Sequence, residues 1–156
     1  MDQIYRTPNL VPPFLQISYA SFLARLGRLD LAQEELDKVG DCKNNTARAY
    51  WLGCQSRIFL LGGDSKAALE AATQAKQLLP NDWSILSTQA LMLLRNKQFE
   101  EAKLTFDKAI NEAGELKDLP FEAYYYRAEI LEQNGDHERA DKDRKLAVNS
   151  GYIPHY

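Results

Sequence analysis

The sequence predicts an all-α protein built as an α-solenoid of antiparallel helix pairs, with about eight helices. Pairs of small residues separated by twelve positions recur four times: Ala20 and Ala32, Ser56 and Ala68, Ala90 and Ala102, Ala128 and Ala140. Small side chains at this offset let two short helices approach closely. The second members recur every 34 to 38 residues, the length of one helical hairpin, and this period is typical of a helical repeat array.

Two further sets of positions share this register. Nine positions before the second small residue stand large apolar residues at helical spacing, Leu23, Phe59, Leu93 and Leu131. Five positions before it stand the predicted turn residues, Gly27, Gly63, Lys97 and Gly135. Glycine adopts the left-handed conformation that such turns use. The shared register therefore predicts four hairpins of the same construction.

These positions resemble the tetratricopeptide repeat family, whose unit is a helix pair with the pattern G-D-x-x-x-A in its middle. Segments 63–68 and 135–140 match this pattern directly, and segment 99–109 is similar to a typical second helix. The resemblance covers about residues 13–150. It implies a right-handed superhelix in which the first helix of each pair lines the concave side and the second helix lines the convex side.

The predicted helices follow from the periodicity, the prolines and the capping residues. They are Phe14–Leu26, Leu29–Val39, Ala47–Leu61, Ser65–Leu79, Trp83–Leu94, Phe99–Asn111, Phe121–Gln133 and His137–Asn149. We expect one domain over residues 13–150, with repeats at about 13–45, 46–81, 82–119 and 120–150. An extended segment, 1–12, precedes it, and an apolar tail, 151–156, follows it.

Composition limits the class of partner. The chain has 156 residues and 45% hydrophobic content, enough for one continuous core. Its net charge is −3 and its pI is about 5.4, with acidic and basic residues mixed along the helices. Phosphate contacts need a basic stripe, so we expect a protein or peptide partner and no nucleic acid.

The uncharged run 7–24 could suggest a signal or membrane segment. It is interrupted by Pro8, Pro12 and Pro13, and Asp2 stands where a signal would be basic. The sequence therefore predicts no membrane insertion and a cytoplasmic location. A periplasmic or other compartment stays open if a leader has been removed.

Nothing in the sequence predicts catalysis, metal binding or cofactor binding. Cys42 and Cys54 have no neighbours at metal-ligand spacing. A loop thiol at Cys42 and a small packed or groove-lining residue at Cys54 are favoured over a disulfide or redox pair. His137 and His155 have no companion ligand. We therefore expect no cofactor, no metal and no enzymatic activity.

The resemblance implies a binding surface in the concave groove, and helical spacing selects its residues. The predicted partner-binding residues are Phe14, Ile17, Ser21, Tyr50, Cys54, Arg57, Ser84, Ser87, Thr88, Leu91, Arg95, Tyr125, Tyr126 and Glu129. Tyr124 is predicted to face the core. Arg57 and Arg95 are interpreted as isolated, solvated cations. The lysines and asparagines that hold a terminal carboxylate in heat-shock co-chaperones are replaced by neutral residues, which argues against a carboxylate clamp.

The leading hypothesis is a non-enzymatic adaptor that holds a peptide or helix of another protein in this groove. Two alternatives stay open. One is an assembly subunit that stacks on itself or on a larger helical protein, and the other is a chaperone for a secreted or assembled client. The tail residues Tyr152, Ile153 and Tyr156 are predicted to cap the last hairpin or to dock into a neighbouring molecule, so a homo-oligomer also stays open.

Overall fold

A computed structural model describes residues 12–40, 42–114 and 120–149 of the chain. Within these ranges the chain forms eight α-helices and no β-strand. The helices are α1 (Pro13–Arg25), α2 (Leu29–Val39), α3 (Asn45–Leu61), α4 (Ser65–Leu78), α5 (Trp83–Arg95), α6 (Phe99–Ala113), α7 (Phe121–Gln133) and α8 (His137–Asn149). The all-α fold class is therefore confirmed.

The observed helix ends agree closely with the prediction, and one difference has a clear local cause. Helices α2, α7 and α8 begin and end at the predicted residues, whereas α3 begins two residues early. The side-chain oxygen of Asn44 accepts hydrogen bonds from the amides of Thr46 and Ala47, at 2.8 and 3.2 Å. These bonds satisfy free amides at the helix start and place the first turn before Ala47.

Consecutive helices pack as four antiparallel pairs, and each pair stacks on the next to form an α-solenoid. The small residues that define the repeat lie at these contacts, and each of them is 0% exposed: Ala20, Ala32, Ser56, Ala68, Ala90, Ala102, Ala128 and Ala140. Larger side chains fill the space around them, with Met92, Phe106 and Ile130 fully buried in the central cluster. The close approach predicted from residue size is confirmed.

All four hairpin turns have the same backbone geometry. The residue with positive φ is Gly27 (72°), Gly63 (90°), Lys97 (63°) or Gly135 (78°). The following residue donates its amide to the carbonyl five positions earlier, at 2.9 to 3.0 Å, on Leu23, Phe59, Leu93 or Leu131. This arrangement is a Schellman motif, which ends the first helix and reverses the chain. The four-hairpin register predicted above is therefore present in the backbone.

An ion network joins the last three helices. Arg127 of α7 donates to both carboxylate oxygens of Asp143 in α8, at 2.7 and 2.8 Å, and to Asp107 in α6 at 2.7 Å. The Arg127 guanidinium also lies 5.6 Å from the ring centroid of Tyr124. Bidentate pairing fixes the relative position of two helices more tightly than a single contact does. The network therefore fixes the terminal hairpin against the third.

Some predictions concern residues outside the described ranges. They are the extended segment up to residue 11, the connection 115–119, and the tail 151–156 with its capping or docking role. The repeat boundaries and domain limits also stay predictions.

Candidate partner-binding groove

The first helices of the pairs, α1, α3, α5 and α7, surround two adjacent pockets. The first pocket has a volume of about 580 Å³ and lies between α1, α3 and α5. The second pocket, of about 880 Å³, lies between the end of α1, the end of α3, α5 and α7. We refer to the two pockets and their lining residues together as the groove.

Thirteen of the fourteen predicted residues border one of the two pockets. The first pocket contains Phe14, Ile17, Ser21, Tyr50, Cys54, Arg57, Ser84 and Thr88. The second contains Arg57, Leu91, Arg95, Tyr125, Tyr126 and Glu129. Ser87 borders neither pocket, because its hydroxyl donates to the Trp83 carbonyl at 2.8 Å and its side chain is buried. Partner contact at these residues stays a prediction.

Helical spacing identified the groove face but not the depth of each side chain. Ile17, Cys54, Thr88 and Leu91 are buried, so they form the floor of the groove. Ile17 and Cys54 belong to the apolar cluster of the first hairpin, and Leu91 belongs to the central cluster. These four residues shape the groove and offer little surface to a partner.

Several lining residues were absent from the predicted set. They are Phe22, Arg25 and Ile85 in the first pocket and Ala24, Leu26, Gly27, Leu60 and Leu61 in the second. Ser18, Gly53 and Glu122 also border the pockets, and helical spacing does place these three on the concave face. Arg25 follows Ser21 by four positions, and Leu61 follows Arg57 by four. Extending the i+4 rule to the ends of α1 and α3 would have found both.

Aromatic rings lie at both ends of the groove. Phe14 packs edge-to-face on Tyr50, with ring centroids 6.0 Å apart, and Phe14 is largely exposed. At the other end Tyr125 packs edge-to-face on Tyr126 at 5.3 Å. Both tyrosines are half-buried and border the second pocket, whereas Tyr124 is buried, as the sequence predicted.

Tyr126 is held in place by its neighbours. Its ring stacks on buried Phe106 with centroids 6.4 Å apart, and the Arg95 guanidinium lies 5.2 Å from the ring centroid. A ring held by a stacked aromatic neighbour and by a guanidinium presents its edge and hydroxyl in a defined position. The second pocket therefore has a rigid aromatic wall.

The arginines of the groove are paired with carboxylates of α7. Arg57 donates to both oxygens of Glu122, at 3.2 and 2.6 Å, and Arg95 lies 3.7 Å from Glu129. The prediction that Arg57 and Arg95 are isolated cations is therefore wrong. The stacking of the pairs brings α7 within side-chain reach of α3 and α5, which spacing within one helix cannot indicate.

Two ionisable groups of the first pocket, the Cys54 thiol and the Tyr50 phenol, favour their neutral forms. Burial raises the pKa of the Cys54 thiol, and burial together with the hydrogen bond to Asp82 raises the pKa of Tyr50 to about 12. Neither group is an activated nucleophile at neutral pH. Among the described residues, no group of three or more His, Cys, Asp or Glu side chains could hold a metal ion. In the same ranges no helix has the length and apolar character needed to span a bilayer.

Comparison with protein-family profiles gave no matching family, and comparison with curated proteins gave no match. Several solved structures share the fold. A crystal structure of MamA aligns with a TM-score of 0.62 at 17% identity, covering 89% of this chain and 78% of that chain. A second MamA crystal structure aligns with a TM-score of 0.60 at 16% identity, covering 91% and 79%.

A MamA mutant structure aligns with a TM-score of 0.54 at 18% identity, covering 91% of this chain and 99% of that chain. At these identities the likeness concerns the fold alone. The chain thus has the tetratricopeptide-like α-solenoid fold that MamA structures also have.

Proposed function

We propose that the protein is a non-enzymatic interaction module that holds a peptide or helix of a partner protein in the groove. The observation that carries this proposal is the pair of adjoining pockets with aromatic rings at both ends, Phe14 and Tyr50 at one and Tyr125 and Tyr126 at the other. Tyrosine offers a large contact area with few rotors to immobilise, and its hydroxyl can set the register of a bound segment. A chaperone whose client occupies the groove is the same function with a different partner.

The class of partner and the place of action belong to the same proposal. We infer a protein partner in the cytoplasm and no nucleic acid. The net charge of −3 and the mixed signs along the helices support the exclusion of nucleic acid. The repeated turn geometry and the buried small residues support a divergent member of the tetratricopeptide repeat family.

Affinity capture from the native cell extract tests the groove. The bait is the wild-type chain, the double variant Tyr125→Ala with Tyr126→Ala, or the control Leu104→Ala, and the captured proteins are identified by mass spectrometry. Leu104 is an exposed apolar residue of α6 outside both pockets. The double variant should lose the partners that wild type and control retain. If a folded double variant retains every partner, the hypothesis that the groove is the partner-binding site is rejected.

A second candidate function is an assembly subunit, because α1 and its C-cap residue Leu26 carry an exposed apolar stripe. Leu15, Tyr19, Phe22 and Leu26 are between 51 and 61% exposed and follow the spacing i, i+4, i+7, i+11. Such a stripe is suited to packing against another helix, in a second copy or in a larger helical protein.

Light scattering at micromolar concentration tests this alternative. A self-stacking subunit has a mass above 17.8 kDa that returns to this monomer value in the variant Leu15→Glu with Tyr19→Glu. If the wild-type chain is a monomer and captures the same partners as this variant, the assembly function is rejected.

A further inference from the structure

A charged bridge crosses the groove. Arg57 in the middle of the array donates two hydrogen bonds to Glu122 at the start of α7, and Arg25 at the end of α1 lies 3.3 Å from the same carboxylate. Arg57 and Glu122 are 65 residues apart in sequence. The bridge therefore joins the first, second and fourth hairpins directly.

The bridge separates the two pockets. Arg25 and Arg57 border both pockets, and Glu122 borders the second. Each pocket alone is in the size range of a small-ligand site. A helix with its side chains is about 10 Å wide. A partner segment that runs the length of the groove therefore meets the bridge between the two pockets.

The two arginines form a ready-made carboxylate site. A guanidinium that binds both oxygens of a carboxylate makes one of the stronger and more directional polar contacts in proteins. The side chains of Arg57 and Glu122 are 17 and 16% exposed, so solvent screens this pair less than a surface pair. Two guanidinium groups, those of Arg25 and Arg57, thus converge on the one carboxylate of Glu122.

We propose that Arg25 and Arg57 bind an acidic side chain of the partner and that Glu122 is an internal competitor that occupies their site until the partner arrives. This inference rests on the proposed binding function of the groove. It predicts the residues of the partner segment: apolar or aromatic residues occupy the two pockets, and an Asp or Glu lies between them. Exchange of one carboxylate for another keeps both arginines paired, which avoids leaving a partly buried charge without a partner.

Competition between Glu122 and an acidic side chain of the partner leads to a quantitative expectation. When the binding-competent form is only a fraction of the population, the apparent affinity falls by that fraction. Glu122→Gln removes the competing charge and preserves the side-chain shape. Peptides with an acidic residue should therefore bind this variant about tenfold more tightly than wild type.

A display library of random twelve-residue peptides tests the inference without knowledge of the natural partner. It is selected on wild type, and the enriched sequences are made with blocked ends, so that only side-chain carboxylates remain. Their affinities are then measured for wild type, Glu122→Gln, Arg57→Gln, the double variant Tyr125→Ala with Tyr126→Ala, and the control Glu132→Gln. Glu132 lies on the same helix, pairs with Arg144 at 2.9 Å, and is outside both pockets. Circular dichroism checks the fold of each variant.

The expected result is enrichment of Asp or Glu in the selected peptides, tighter binding to Glu122→Gln, and unchanged binding to Glu132→Gln. Arg57→Gln should weaken the same peptides about tenfold, which tests the site through a second residue. Peptides that require Tyr125 and Tyr126 but lack acidic enrichment, or bind Glu122→Gln and wild type equally, would overturn this inference and leave the proposed function intact. Selected peptides indifferent to both tyrosines and to Arg57 would overturn both.

Discussion

Tyr50 and Asp82 connect the groove to the start of a helix. The Tyr50 hydroxyl donates to one Asp82 carboxylate oxygen at 2.7 Å, and the other oxygen accepts the amides of Ser84 and Ile85, both at 3.0 Å. One carboxylate thus caps α5 and fixes an aromatic ring of the first pocket. The second hairpin is thereby tied to the third at the edge of the groove.

Stability should fall in alkaline solution because of Tyr50. Burial, followed by the hydrogen bond to Asp82, raises its pKa from 10.0 to about 12. Between these values the unfolded chain releases the phenolic proton and the folded chain keeps it, so the free energy of unfolding decreases as pH rises through this window. Urea unfolding of wild type and Tyr50→Phe from pH 9 to pH 11.5 measures this contribution. The stability advantage of wild type should shrink with pH, and a constant difference would contradict the assignment.

Asp143 should be among the most sensitive polar residues of the last hairpin. Its side chain is 5% exposed and receives both bonds from Arg127. Asp143→Ala leaves a mostly buried guanidinium with Asp107 alone, and removing one partner of such a pair costs about 3 kcal/mol. Asp141→Ala is the matched control, because Asp141 is 67% exposed and lies 3.3 Å from Arg144. The control should change stability by less than about 0.5 kcal/mol in chemical denaturation. Similar losses in both variants would argue against a structural role for the network.

The sequence was sufficient for the features that repeat along the chain. Residue size at fixed offsets identified the helix contacts, and all eight small residues are fully buried. The features that it could not predict depend on how the pairs curve relative to one another. The contact of Arg57 with Glu122 joins residues 65 positions apart, and the contact of Arg95 with Glu129 joins α5 to α7. No local spacing encodes either.

Lys97 tests whether the turn geometry that the four hairpins share controls their stability. It has a φ of 63° at the position that glycine occupies in the other three hairpins. The left-handed conformation costs a residue with a Cβ about 1 kcal/mol, partly offset by the freedom of glycine in the unfolded chain. Lys97→Gly should therefore raise stability by about 0.5 kcal/mol, measured by thermal and urea unfolding.

The second hairpin allows the reverse change, from glycine to a residue with a Cβ at the same turn position. Gly63 has a φ of 90°, and a Cβ at this position would meet nothing within 4 Å. By the same balance, Gly63→Ala should cost about 0.5 kcal/mol net, and the cost arises from backbone conformation alone. Loss of stability in Lys97→Gly, or none in Gly63→Ala, would show that the shared turn geometry does not control hairpin stability.

The close contact of the paired helices can be tested at two adjacent residues of α4. Ala68 is 0% exposed in the central cluster, whereas Ala67 is half-buried. A leucine at position 68 has no space between helices packed at this distance, so it must push them apart or adopt a strained rotamer, at a cost of about 3 kcal/mol. Ala67→Leu adds the same atoms one position away and should change stability by less than about 0.5 kcal/mol. Urea unfolding of both variants measures the difference. Because each pair stacks on its neighbours, a displaced α4 should also shift α5, and the near-UV circular dichroism of the two tryptophans, Trp51 and Trp83, should change in Ala68→Leu alone. Equal stability of the two variants would mean that the recurring small residues do not set the distance between the helices.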